Sequence, residues 1–299
     1  MPKIEKILCP VDFSKFSVLA YEYAQSVGCH FKATVLLQHV IDLTPYYRYY
    51  EFPTANEELC GQLRTAATQQ LQEFAKKRTS QAVHTECIVQ DGAVTDSILG
   101  LAEDKAVDLI VMGTHGLRGI DRLALGSVTE KVIRKATCPV LAVRKPAHDL
   151  AAVAGVSELA EIQRILYCTD FSEHSEQAWD HAVSLAAEYH AELTLLHVLE
   201  DISSSSDIED ATSKALERLD EQIPSWVRDN VVTRPVVRVG KAYQQIIQLA
   251  CASQTDLVIM GVHGRNTLDL AIFGSTTHRV LQSGPCPVLA VHTSQKYEE

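Results

Sequence analysis

The chain has no Gly-x-x-x-x-Gly-Lys-Ser/Thr segment and no Gly-x-Gly-x-x-Gly after its first strand. Ordinary P-loop hydrolases and dinucleotide oxidoreductases, whose phosphate contacts depend on those spacings, are therefore disfavoured. No apolar run approaches the ~20 residues that a helix needs to cross a bilayer, so no membrane insertion is expected. The eight cysteines contain no Cys-x-x-Cys pair, and the first residues lack a signal-peptide pattern. The expectation is a reducing cytoplasm with buried thiols, not a disulfide framework. Among the 12 histidines no paired-ligand spacing occurs, which leaves His84 and Cys87 short of a zinc site. Basic residues are the scarcer charge: 27 Lys and Arg face 38 Asp and Glu, a net charge of −11 that argues against nonspecific nucleic-acid binding.

What is present is a glycine pattern that occurs twice. Residues 113–127 read GTHGLRGIDRLALGS and residues 261–275 read GVHGRNTLDLAIFGS, each Gly, two residues, Gly, nine residues, Gly, Ser. The apolar run Asp108-Leu-Ile-Val-Met-Gly113 precedes the first copy as a buried strand, and a helix pattern begins at Ser127. The pattern thus spans a strand end, a loop and a helix start. Gly113 and Gly116 let the backbone turn and approach a ligand, while Gly126 and Ser127 present amides at a helix N-terminus, where an anion is favoured. The bland alternative is a turn whose helix is capped by Ser127, with Glu130 completing a capping box. The second copy has His278 in place of that glutamate but keeps Gly261, Gly264, Gly274 and Ser275. Capping alone does not account for what is shared.

The repeat runs through the whole chain. Lys6-Ile-Leu-Cys-Pro-Val-Asp12-Phe-Ser14 matches Arg164-Ile-Leu-Tyr-Cys-Thr-Asp170-Phe-Ser172 at an offset of 158, and the glycine segments and the strands Cys138-Pro-Val-Leu-Ala-Val143 and Cys286-Pro-Val-Leu-Ala-Val291 match at 148. The first repeat therefore carries about ten extra residues in its middle. Two domains are expected, 1–147 and 157–299, with a boundary in the Ala-rich segment from Pro146 to Leu159.

Periodicity predicts strands at 5–11, 33–40, 83–89, 107–113 and 138–143 and helices at 17–28, 56–78, 94–104 and 127–136, with the same order in the second repeat. Alternation of short Val/Ile/Leu strands with amphipathic helices implies an α/β fold: a parallel sheet with helices on both faces. Ligands bind such sheets beyond the carboxyl ends of the strands, where strand order reverses. Asp12 follows the first strand and Gly113 ends the fourth. If those strands are neighbours, the carboxylate and the glycine loop face one crevice. The competing role for Asp12 and Asp170 is an N-cap for the following helix.

These residues and spacings make the chain resemble the universal stress protein family, in its adenine-nucleotide-binding branch and as a tandem member. The resemblance covers both halves and implies two Rossmann-like domains of the adenine nucleotide alpha hydrolase type. Each would be a five-stranded parallel sheet of order 3-2-1-4-5, with ATP, alone or with Mg2+, lying across the ends of strands one and four. Carried over residue by residue, Asp12 and Val40 would meet the adenosine, and Gly113, Gly116, Gly126, Ser127 and Val128 the phosphates. The matching set is Asp170, Val198, Gly261, Gly264, Gly274, Ser275 and Thr276. The implied partners are the adenine nucleotide and client or regulatory proteins, with the halves packed as an intramolecular pseudo-dimer through their last strands, and a further homodimer left open.

The repeats differ in ways that bear on affinity. Cys168-Thr169 replaces Pro10-Val11, and Arg118 and Arg122 in the first loop contrast with Arg265 and Asp269 in the second. Residues 1–148 hold 17 basic and 16 acidic side chains, a net of +1, whereas residues 149–299 hold 10 and 22, a net of −12. A polyanion is expected to reach the first half more readily. The loop histidines, His115 and His263, have no carboxylate orienter or nucleophile nearby in sequence and read as packing or hydrogen-bonding residues. The insertion Tyr46-Tyr-Arg-Tyr-Tyr-Glu-Phe52 reads as a packed loop or as a recognition surface, where the second repeat has only Ser203 to Ser206. The functional classes are a nucleotide-dependent regulatory module of the stress response, a slow ATP hydrolase, or a small-ligand or zinc-binding stress protein with nucleotide in one domain. The first is preferred because no cation clamp for phosphoryl transfer is apparent.

Overall fold

Asp108 explains how the first sheet is assembled at one edge of its central strands. Its Oδ2 accepts the backbone amides of Glu5 and Lys6 at 2.8 and 2.9 Å, which fastens the start of the fourth strand to the start of the first. Asp256 does the same for Gln163 and Arg164, at 3.0 and 2.8 Å. The computed structural model describes residues 3–42, 54–79, 82–116, 125–144, 162–200, 205–262 and 274–292. The boundary segment Pro146 to Leu159, the aromatic insertion at 46–52, and His263, Gly264, Arg118, Arg122, Arg265 and Asp269 lie outside the described residues.

The first unit is built from strands β1 (Lys6–Pro10), β2 (Thr34–Ile41), β3 (Thr85–Asp91), β4 (Leu109–Gly113) and β5 (Val140–Val143). Its helices are α1 (Lys15–Phe31), α2 (Thr54–Arg78), α3 (Val94–Asp104) and α4 (Ser127–Lys135). All pairings are parallel, and β1 lies between β2 and β4, so the order is β3-β2-β1-β4-β5. Ile7, Leu8, Cys9, Ile110, Val111, Val140 and Val143 have no exposed surface, as expected of strands covered on both faces. Edge strand β3 is more exposed. Right-handed crossovers place α1 and α2 on one face and α3 and α4 on the other; α1 packs across β1 and β4, and α3 touches α4.

The second unit repeats this plan with β6 (Arg164–Thr169), β7 (Glu192–Leu199), β8 (Thr233–Val239), β9 (Leu257–Gly261) and β10 (Val288–Val291). Its order is β8-β7-β6-β9-β10. The helices are α5 (Glu173–Tyr189), α6 (Ser205–Glu221), α7 (Ser225–Asn230), α8 (Ala242–Ala252) and α9 (Ser275–Ser283). The order of elements departs from the sequence expectation at α7. Pro224 has no N–H and fixes its own φ, so the helix that continues to Arg78 in the first repeat stops at Glu221, and a short one restarts with Pro224 at its N-cap. The bidentate Arg228–Asp220 pair, at 2.9 and 2.8 Å, ties the new helix to the old. Among the described residues no helix is long and apolar enough to cross a membrane.

Candidate functional site

Helix α1 starts two residues earlier than periodicity predicts because Ser14 caps it. Its hydroxyl accepts the Ser17 amide, and the hydroxyl of Ser172 accepts that of Ser175 in α5. Neither aspartate is the N-cap. Instead Asp12 Oδ1 accepts the Ser14 amide and Asp170 Oδ1 the Ser172 amide, each at 3.0 Å. Each forms a turn between strand and helix of the kind that Asp favours. The residue inside the turn is left-handed in both units, Phe13 at φ 63° and Phe171 at φ 59°. Such a conformation costs a non-glycine residue roughly 1–2 kcal/mol, and it appears twice at the same place.

A histidine one strand away braces the same turn. Nδ1 of His39 donates to the Val11 carbonyl at 2.8 Å and Nδ1 of His197 to the Thr169 carbonyl at 2.9 Å, which fixes a hydrogen on that nitrogen in each ring. The rings lie against Phe13 and Phe171, with centroids 4.5 and 4.3 Å apart. Sequence reasoning missed this role, although both histidines recur at one repeat position. Val40 and Val198 follow them. The Gln38 carbonyl accepts the Val11 amide as β1 runs out. Because backbone groups alternate sides along a strand, Val40 turns its N–H and C=O the same way, past the end of β1. Val198 holds the corresponding place on β7.

The glycines divide between two jobs. Gly113 and Gly261 end β4 and β9, where a β-carbon would lie 2.9 Å from the Phe16 carbonyl oxygen and 2.6 Å from that of His174. The first turns of α1 and α5 therefore require them, a packing cause that the motif alone does not reveal. Gly116 is different. A β-carbon there would stand 2.7 Å from Asp12 Oδ2, which places the loop after β4 directly beside the carboxylate after β1. The two strands are neighbours, so the crevice lies where strand order reverses.

Helix α4 has Gly126 as its N-cap, with no side-chain hydrogen bond, and α9 has Gly274 in the same condition. Ser127 and Ser275 are the first helical residues, not caps, so the capping-box alternative fails on geometry. One detail of the sequence reading is also corrected: the Gly126 amide donates to the Thr114 carbonyl at 2.8 Å and is spent within the loop. Ser127 is exposed and Val128 half-buried at the start of α4, and Ser275 and Thr276 repeat this pattern on α9. The helix start is held to the strand by Thr129 Oγ1, which donates to the Gly113 carbonyl at 2.8 Å, and by Thr277 Oγ1 to that of Gly261 at 3.0 Å.

His115 is buried, hydrogen-bonded through Nδ1 to Thr114 Oγ1 at 2.9 Å, with its ring 5.0 Å from that of Phe16. That fits its reading as a packing residue. In the second unit Thr169 Oγ1 meets Ser175 Oγ at 2.9 Å and accepts the Phe171 amide at 2.9 Å, so this departure from Val11 adds internal bracing beside Asp170.

The sequence profile of the universal stress protein family matches residues 3–144 and 161–292. A universal stress protein of Mycolicibacterium smegmatis is 28% identical over 308 residues, 95% of this chain and 96% of that protein. One from Methanocaldococcus jannaschii is 37% identical over 149 residues, 48% of this chain and 85% of its own length. Among solved structures, a universal stress protein from Archaeoglobus fulgidus superposes with a TM-score of 0.68 at 21% identity, covering 97% of each chain, a likeness of fold. With the family profile matched twice over two like-ordered sheets, the chain belongs to the universal stress protein family as a tandem member.

Proposed function

We propose that each unit is an adenine-nucleotide-binding module and that the chain serves as a nucleotide-dependent regulator in the stress response, with ATP as its ligand. The observation that carries this reading is the convergence at the strand reversal of the Asp12 carboxylate, the Gly116 backbone and the glycine-capped start of α4. The absence of a β-carbon at Gly116 lets the loop backbone come up beside Asp12, and amides at a helix start without a side-chain cap suit an anion. Asp12 and the backbone of Val40 would hold the adenosine. Gly116, Ser127 and Val128 would hold the phosphates, with Gly113 and Gly126 shaping the loop. Asp170, Val198, Ser275 and Thr276 offer the same groups in the second unit, with Gly261 and Gly274 in the shaping role and Gly264 completing its motif.

Among the described residues, binding is favoured over turnover by what the candidate bases are doing. Asp12 and Asp170 each hold a turn amide, and His115 is committed to Thr114 and Phe16. Phosphoryl transfer depends on positioned cations and an activated water, and these groups are engaged in bracing the fold.

The experiment is a titration of the purified full chain with ATP, read by calorimetry, melting temperature and amide hydrogen exchange. The expected result is saturable binding with protection gained at the starts of α4 and α9; ligand at a hundredfold excess over Kd stabilises a native site by about 2.7 kcal/mol. Saturating ATP that moves neither melting nor exchange in either unit would remove the reading. Analysis of nucleotide retained through purification, ATP against ADP, separates the regulator from the slow hydrolase.

A further inference from the structure

The internal repeat provides a residue-by-residue control for a groove in the second unit. In the first unit Phe74 of α2 is 6% exposed, with its ring 5.6 Å from that of Phe13 and 5.7 Å from that of Tyr21, and the Arg78 guanidinium lies 4.4 Å over it. It fills the space between α1 and α2. The offset of 148 that aligns Leu71 with Leu219 and Ala67 with Ala215, buried in both helices, aligns Phe74 with Gln222. The offset of 158 aligns Tyr21 with Trp179 and Cys9 with Tyr167.

The exchange is not one that packing explains. Gln222 donates to Tyr167 Oη at a long 3.5 Å, and its Oε1 is buried with no hydrogen-bond partner, a cost that a phenyl ring does not carry. In place of the plug there is a groove of about 430 Å³, lined by Phe171, Glu176, Trp179, Arg218, Glu221 and Gln222. That volume falls within the ~300–1,000 Å³ of small-molecule sites. The Arg218 guanidinium already lies 4.2 Å over the Phe171 ring, and Trp179 is backed by Tyr167 at 5.3 Å.

From this chemistry we propose that the second unit binds a small organic ammonium ion with an apolar stem, in the groove between α5 and α6. Trp is the strongest aromatic partner for a cation. Two carboxylates, Glu176 and Glu221, outweigh the one guanidinium, and the surrounding half of the chain has a net charge of −12. Glu176 corresponds to Val18 and Gln222 to Phe74, so the first unit has neither the full charge nor the opening. The site is separate from the nucleotide reading, touching it only through Phe171.

The chain has two tryptophans, Trp179 and the exposed Trp226, so Trp226→Phe leaves Trp179 as a lone reporter. Phenethylammonium is the probe, with neutral 2-phenylethanol as its uncharged counterpart. Saturable change in Trp179 emission with the ammonium at millimolar concentration, and a weaker response to the alcohol, is the expected result. Gln222→Phe, which copies the first repeat, is expected to weaken binding about tenfold or more, equivalent to ~1.4 kcal/mol. Glu176→Gln with Glu221→Gln, both at exposed positions, is expected to weaken it by about tenfold as well. An emission that does not saturate, equal affinity for the alcohol, or unchanged affinity in either variant would each overturn the proposal.

Discussion

Asp12 and Gly116, 104 positions apart in the chain, stand so close that a single added carbon on the glycine would press on the carboxylate, 2.7 Å from Oδ2. This brings together the two halves of the proposed crevice, the turn after β1 and the loop after β4. Gly116→Ala is therefore expected to displace Asp12 and reduce ATP affinity in the first unit about tenfold, or ~1.4 kcal/mol. Calorimetry on the full chain, with Asp170→Ala silencing the second unit, would measure it. Melting temperature should stay within about 2 °C of the parent carrying Asp170→Ala alone, because the added carbon meets Oδ2 and the carboxylate can turn aside while Oδ1 keeps the Ser14 amide. Lost stability with unchanged affinity would assign Gly116 to packing instead.

Gly113 and Gly261 make the opposite prediction. Their added β-carbons meet backbone carbonyls of Phe16 and His174, which cannot swing aside. Alanine at either is expected to destabilise its own unit by about 1–3 kcal/mol, the range for overpacking. Gly261→Ala should cost more, since its contact is 2.6 Å against 2.9 Å. Urea unfolding of both variants tests the ranking, and a larger loss for Gly113→Ala would contradict it.

The aspartate turns can be separated from the aspartate charge. Asp12→Asn keeps an oxygen for the Ser14 amide and should retain most of the stability, whereas Asp12→Ala removes the acceptor and should cost about 1 kcal/mol. The same pair at Asp170 should show a larger loss for alanine, because Asp170 Oδ1 also accepts from the Ser172 hydroxyl at 2.5 Å. Chemical denaturation of the four variants reads this. Equal effects of Asn and Ala would show that the turn bond carries no stability.

The charge asymmetry of the halves, +1 against −12, predicts unequal sites. The first unit should bind ATP more tightly, by a margin that shrinks as salt is added, since screening acts on the net field. Titrations of Asp12→Ala and Asp170→Ala full-length chains at low and high salt compare the two sites in place. Equal or reversed affinities at low salt would discard the idea.

The thiols divide evenly, and their burial gives a pH dependence with a definite sign. Cys9, Cys138, Cys168 and Cys286 are buried, whereas Cys29, Cys87 and Cys251 are exposed and Cys60 is intermediate. A thiol reagent should therefore titrate four cysteines quickly and four after unfolding. Burial pushes Cys138 and Cys286 up from 9.0 to about 12. A raised native value holds the proton more tightly than the unfolded chain does, so the contribution is complete below pH 9 and is lost between pH 9 and about 12. Tyr167, raised by burial from 10.0 to about 12, adds a loss in the upper part of that window. Melting temperature followed upward from pH 8 should fall, and less steeply for Cys138→Ala with Cys286→Ala. A slope unchanged by those replacements would speak against Cys138 and Cys286 as its source.

Much of the fold was legible because periodicity and duplication reinforce each other: the strands at β1, β4 and β5 appear twice, in the same order. The limits of legibility are physical. A glycine motif reports that a side chain is forbidden, not what forbids it; at Gly113 the cause is the carbonyl of Phe16, a helix away. Nothing in the letters Asp-Phe-Ser announces a left-handed phenylalanine, because its cost is met by the turn and the ring packing around it. The amide of Gly126 is indistinguishable in sequence from that of Ser127, yet it is consumed by Thr114. The helix break at Pro224, by contrast, follows from the residue type alone.

The bare glycine at the head of α4 carries a last implication. A helix whose N-cap has no side chain to close its first turn leaves its leading amides to water or to a bound anion. If the proposed nucleotide seats there, its occupancy would be registered in the order of that single turn, without any large rearrangement of the sheet.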